Sequence, residues 1–157
     1  MKEPLPVHVC ELAPDDHAYA LSSWRESHKQ TLRRVPWSAY KLSYGREFAA
    51  LLKAPDSLVL GAYGASDELL GFLVASPGKR VDVLHWTQVK FKNKAGEHVR
   101  RRGVMTALLE AAELGDRFIY TLRARREGKR TLDGVIAERL AARGVVATYV
   151  DFRDWKA

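Results

Sequence analysis

The chain has 157 residues, 46% of them hydrophobic and 29% charged, which fits one globular domain spanning residues 1–157 and excludes a chain too polar to build a core. No apolar run approaches the ~20 residues of a membrane span, the first residues carry no secretory leader, and Cys10 is the single cysteine, so a cytoplasmic protein is expected. The formal charge of +7 is uneven: eight basic residues against two acids lie between Lys79 and Arg102, and Arg123, Arg125, Arg126, Lys129 and Arg130 face only Glu127.

Val7 to Leu12 alternates like a half-buried strand. Pro14-Asp15-Asp16 offers a turn and an N-cap, which predicts a helix from about His17 with Tyr19, Ala20, Leu21 and Trp24 on its apolar side. Pro36 interrupts, and a second helix from Trp37 carries Tyr40, Tyr44, Phe48, Leu51 and Leu52 at spacings of three and four until Ala54-Pro55-Asp56. Ser57 to Tyr63, Leu69 to Ala75 and Val81 to Phe91 read as strands separated by short polar turns, hence an antiparallel meander. A helix over Val104 to Leu114 ends at Gly115, where a left-handed residue is favoured; Arg117 to Leu122 is a strand, Thr131 to Arg143 a polar helix, and Val145 to Phe152 a last strand. The order β-α-α-β-β-β-α-β-α-β predicts an α/β protein with a mixed sheet, mostly antiparallel, in which the strands before and after the Val104 helix are a central parallel pair.

The most informative stretch is Arg100-Arg101-Arg102-Gly103-Val104-Met105-Thr106-Ala107-Leu108-Leu109, a basic, glycine-bearing turn that opens directly into a helix. The first amides of a helix have no acceptor within it and point toward an anion, and glycine lets the main chain come close. The spacing Arg-x-x-Gly-x-Met, entered from a strand, resembles the pyrophosphate loop of the GCN5-related N-acetyltransferase (GNAT) family, although Met105 stands where that family has a small residue. The element order is also that family's. Tyr19 to Ser27, with Val89-Lys90 and Arg101 to Val104, is similar to small acetyltransferase-like proteins encoded by bacteriophages.

The resemblance implies that the parallel pair splays to admit an acyl thioester, with a backbone N–H near Val89 or Lys90 contacting the pantetheine. Arg100, Arg101, Arg102, Gly103, Val104, Met105 and Thr106 would then hold the diphosphate of acetyl-CoA or another acyl-CoA. It also implies an acceptor pocket bordered by the first helix, with Trp24, Ser27 and His28 as lining residues. Two departures stand out. Val89 to Arg100 is longer than the family's spacing, so an additional basic hairpin or loop is expected at the mouth of the site. The late-helix tyrosine that the family uses as an acid is replaced by Leu140, so that role is vacant or filled from elsewhere, with Tyr120 and Tyr149 as the candidates.

Acyl transfer to an amine needs an acceptor for the amine proton, and His85, mid-strand and four residues before Val89, has the right chemistry. Asp82, on the opposite face by alternation, is a weaker candidate, and Glu97 and His98 read as a solvated loop tip. His8, His17, His28, His85 and His98 show no ligand spacing, so no metal site is expected. The expectation is therefore an acyl-CoA-dependent N-acyltransferase whose acceptor is a small-molecule or macromolecular amine. The basic patches also suit a nucleic acid. That leaves two alternatives: an acyltransferase acting on nucleic-acid bases, or a non-catalytic basic module that grips phosphate backbones.

Overall fold

The computed structural model describes residues 3–23, 38, 42, 45–78 and 82–114, and the backbone alone of 117–120 and 146–149. Its strands are β1 (His8–Glu11), β2 (Leu58–Tyr63), β3 (Leu69–Ser76), β4 (Asp82–Val89), β5 (Arg117–Tyr120) and β6 (Val146–Tyr149). Residues 17–23 form helix α1 after a 3-10 turn at Pro14–Asp16, Arg46–Lys53 is α2, and Val104–Ala112 is α3. The strands lie in sequence order in one sheet: β1 to β4 pair antiparallel, and β4–β5 and β5–β6 pair parallel. The expected mixed sheet is present, with the parallel run extending one strand further than the central pair, to β6. The second predicted helix is described over α2, and the polar helix expected over Thr131 to Arg143 lies outside the described residues.

β3 is central, and its continuous apolar run Leu69 to Ala75 is buried on both faces. Phe72, fully buried, meets the edge of Tyr19 from α1 at a ring-centroid distance of 6.0 Å. The opposite face belongs to α3. There Gly71 is required by close approach, because a Cβ at that position would sit 2.8 Å from the Gln88 carbonyl oxygen and 3.3 Å from Val104 Cγ1. Burial of Phe72, Leu73, Val74, Leu84 and Leu108 is each worth roughly 1.5–3 kcal/mol, which outweighs any surface ion pair and holds the sheet and the helices on its two faces together. Asp16, expected as an N-cap, instead accepts a hydrogen bond from the Tyr63 hydroxyl at 2.8 Å, while the Ala13 N–H donates to the Tyr63 hydroxyl oxygen at 2.9 Å. Burial and the adjacent Asp16 push the Tyr63 phenol up to about 12, so it remains a neutral clasp between β2 and the start of α1.

A β-bulge interrupts β3–β4. Val74 pairs with Trp86 and Ala75 with Leu84, leaving His85 as the extra residue on β4. Bulges break strand alternation and re-aim side chains. The alternation argument separating Asp82 from His85 therefore does not apply across this point. Asp82 accepts from the Gly78 N–H at 3.0 Å and fixes the β3–β4 turn.

Candidate functional site

The Arg100–Thr106 segment is built by backbone conformation. Arg101 and Gly103 both have positive φ, 63° and 86°, two residues apart. Such alternation draws successive amides to one side, the arrangement of an anion-binding nest. Gly103 is the N-cap of α3, and the first helical bond there is from the Ala107 N–H to the Gly103 carbonyl, 2.9 Å. Among the described residues, no acceptor meets the N–H groups of Gly103, Val104, Met105 and Thr106. Four donors and the positive end of a helix dipole thus open in one place.

Met105, unexpected for its size, does not fill this space. It packs against the core, with its sulfur 3.3 Å from Thr87 Oγ1 on β4. The N-terminal segment secures the loop from outside: the Leu5 N–H donates to the Arg102 carbonyl at 3.0 Å, and Arg102 Nε donates to the Glu3 carbonyl at 2.8 Å. Arg102 also reaches the His98 carbonyl at 3.4 Å. Of the three arginines, Arg101 is the exposed one for which no side-chain bond is recorded among the described residues.

The Val89 end of β4, beyond its described pairing with β5, continues this polar track. The Lys90 N–H donates to the Leu70 carbonyl at 2.8 Å, so Lys90 and Leu70 form a hydrogen-bonded pair and the neighbouring Val89 and Gly71 do not. The Val89 N–H and C=O therefore point away from β3. Arg100 Nε donates to that carbonyl at 3.1 Å, and among the described residues the Val89 N–H has no acceptor. Of the two positions expected to offer a backbone donor, Val89 has it open and Lys90 has it committed. The described β4–β5 pairing covers Asp82 to Leu84 against Phe118 to Tyr120.

A second row lies beneath α1. Trp86 Nε1 donates to Ser23 Oγ at 3.3 Å, and Ser23 donates to the Ala20 carbonyl at 2.8 Å. Phe72 is the cross-strand partner of Gln88 and touches Tyr19, so Gln88 faces α1 too. Its Oε1 is buried and without a hydrogen-bond partner among the described residues. Lys90 Nζ sits 4.6 Å from the Tyr19 ring centroid, and burial raises the Tyr19 phenol while nearby Arg100 opposes the shift. Near the bulge, Ser76 Oγ and His85 Nε2 are 2.8 Å apart. Burial pushes the His85 imidazole down to about 4, so the ring is neutral near pH 7.

The inserted segment at the mouth is a hairpin. Lys92 and His98 form a bridge, the Val99 N–H donates to the Phe91 carbonyl, and Asn93 and Glu97 exchange backbone and side-chain bonds at 2.9 to 3.2 Å. Glu97 is thereby a structural residue of the turn.

Structure thus brings His85, Val89 and Lys90 onto one strand that leads to Arg100–Thr106. Trp24, Ser27 and His28 lie outside the described residues, and for Tyr120 and Tyr149 only the backbone is described. Ser76, Gln88 and Ser23 were not singled out from sequence. Ser76 and His85 meet only through the bulge, and Gln88 has no motif around it. Among the described residues there is no cluster of His, Cys, Asp and Glu able to hold a metal, and no helix is long and apolar enough to cross a membrane.

No family model and no curated protein matches the chain. Solved structures resemble it at low identity. The PaiA N-acetyltransferase of Thermoplasma acidophilum, in complex with coenzyme A, is 21% identical with a TM-score of 0.44, covering 69% of this chain and 70% of that one. The aminoglycoside 6'-N-acetyltransferase AAC(6')-Ih of Acinetobacter baumannii is 16% identical with a TM-score of 0.48, covering 88% of both chains. AAC(6')-Iy, in complex with a bisubstrate analogue of CoA, is 16% identical with a TM-score of 0.48, covering 86% of this chain and 89% of that one.

Proposed function

We propose that this protein is an acyl-CoA-dependent N-acyltransferase, with acetyl-CoA as the default donor and an amine as the acceptor. The observation that carries the reading is the set of unpartnered amides at Gly103 to Thr106, shaped by left-handed backbone at Arg101 and Gly103. A diphosphate satisfies such a set better than water does, because it is doubly charged and sits on a helix N-terminus.

The open Val89 N–H lies on the strand leading to this cradle and suits a carbonyl of the pantetheine arm. Bound acyl-CoA supplies the activated acyl group. His85, held neutral by burial, takes the proton that the amine releases. A neutral imidazole keeps one ring lone pair, and Ser76 Oγ, 2.8 Å from Nε2, orients the ring. The acid that reprotonates the thiolate is assigned to Tyr120 or Tyr149, in strands β5 and β6. Trp24 and Ser27, following α1 in sequence, are proposed to line the acceptor pocket. An acceptor bearing negative charge, or one attached to a nucleic acid, suits the exposed cations Lys92, Lys94 and Arg101 better than a polyamine does.

The same cations favour one second reading, a non-catalytic module gripping nucleic acid. Thermal melting separates the two. Acetyl-CoA or coenzyme A raises the midpoint if the cradle binds the donor. A rise with oligonucleotides only, collapsing steeply with salt, would replace the enzyme reading with the module.

A further inference from the structure

Phe91 is one of two large hydrophobic side chains that stand exposed among the described residues, at 55% of its surface. It lies one residue past Lys90, where β4 gives way to the hairpin, rather than on a random loop tip. The His98 ring meets it edge-on at a centroid distance of 4.9 Å, and the Arg100 guanidinium lies 5.6 Å from its centroid. The ring is thus braced, and it remains half open to solvent. The platform is also tied to the cradle: Arg102 donates to the His98 carbonyl, and Arg100, whose guanidinium lies by Phe91, opens the turn that Gly103 closes. Lys94 is pinned through its N–H to Glu68 Oε1 at 2.6 Å, so the hairpin's outer end is anchored to the turn between β2 and β3.

An exposed aromatic ring backed by a guanidinium, flanked by Lys92 and Lys94 and joined to a phosphate cradle, has the chemistry that recognises a purine nucleotide. We propose that the Phe91 face of this hairpin is the docking platform for the adenine ring of the coenzyme A donor, with the adjacent lysines serving the ribose phosphate. This rests on the acyl-CoA reading above. Stacking a base on an aromatic side chain changes affinity by about tenfold or more when the ring is removed.

The test uses the full chain, coenzyme A as probe, calorimetry for affinity and saturation-transfer NMR for contact. With the unsubstituted protein, the adenine ring protons should receive saturation as strongly as the pantetheine methyls. Phe91→Ala should weaken coenzyme A binding about tenfold and remove the adenine signal while the pantetheine signal persists, and Phe91→Trp should restore both. Equal affinity and an unchanged adenine signal in Phe91→Ala overturn the platform while leaving the cradle intact. Loss of single-stranded oligonucleotide binding in Phe91→Ala, with coenzyme A binding unaffected, overturns it in favour of a nucleic-acid surface. No binding of coenzyme A by the unsubstituted protein defeats the acyl-CoA reading itself.

Discussion

Ser76 Oγ and His85 Nε2 lie 2.8 Å apart across the β3–β4 bulge, so the histidine that sequence offers as a proton acceptor is held by a hydroxyl on the neighbouring strand. His85→Gln keeps a hydrogen-bonding side chain at this place but has no basic nitrogen. Turnover should fall about a hundredfold, the lower end of typical general-base contributions, with affinity for coenzyme A unchanged. Thiol release at saturating amine, together with calorimetry, reads the two quantities separately. Equal turnover removes His85 from the chemistry.

The depressed His85 pKa makes a prediction about stability. In the unfolded chain the imidazole protonates around 6.5, and in the folded protein only at about 4. Between these values the unfolded state binds more protons than the native state, so stability rises with pH across the window and is lost as pH falls through it. The contribution is on the order of 3 kcal/mol. Denaturant titrations from pH 4 to 7 should show this slope, and His85→Gln should flatten it. An NMR titration placing the ring near 6.5 in the folded protein would contradict the buried setting.

Arg101 adopts a left-handed conformation, φ 63°, that costs a residue with a Cβ roughly 1 kcal/mol relative to glycine. Arg101→Gly should therefore raise the melting temperature slightly while weakening coenzyme A binding, because it relieves strain and removes an exposed cation beside the cradle. Opposite signs in melting and calorimetry are the diagnostic result. A parallel gain in both would mean the guanidinium does not serve the ligand.

Gln88 holds a buried oxygen with no partner among the described residues, on the face that α1 covers. An unsatisfied buried acceptor costs about 1–3 kcal/mol, and Gln88→Leu should stabilise the protein by an amount in that range. If the oxygen receives an N–H of the acceptor amine, the same variant raises KM for the amine and leaves KM for acetyl-CoA alone. Stabilisation without any change in amine KM would make Gln88 a structural residue only.

Much of the fold was legible because β3 is a continuous apolar run and because short polar turns separate the strands. The cradle was legible because Gly103 precedes an apolar helix. Other features leave no side-chain signature. The bulge at His85 has no glycine or proline to mark it. The left-handed residue ending α3 is Glu113, φ 48°, rather than Gly115, which lies outside the described residues. The bonds that tie Glu3 and Leu5 to Arg102 use only the backbone of the N-terminal segment, so its sequence is silent about them. Met105 departs from the motif in size, yet its side chain is packed inward toward Thr87.

The most direct test of the cradle is a backbone amide NMR titration with coenzyme A. The account predicts that the amides of Gly103, Val104, Met105 and Thr106, with Val89, shift most and become protected from exchange as the ligand saturates. Saturable binding that leaves those five amides unmoved, or no binding at all, would contradict it.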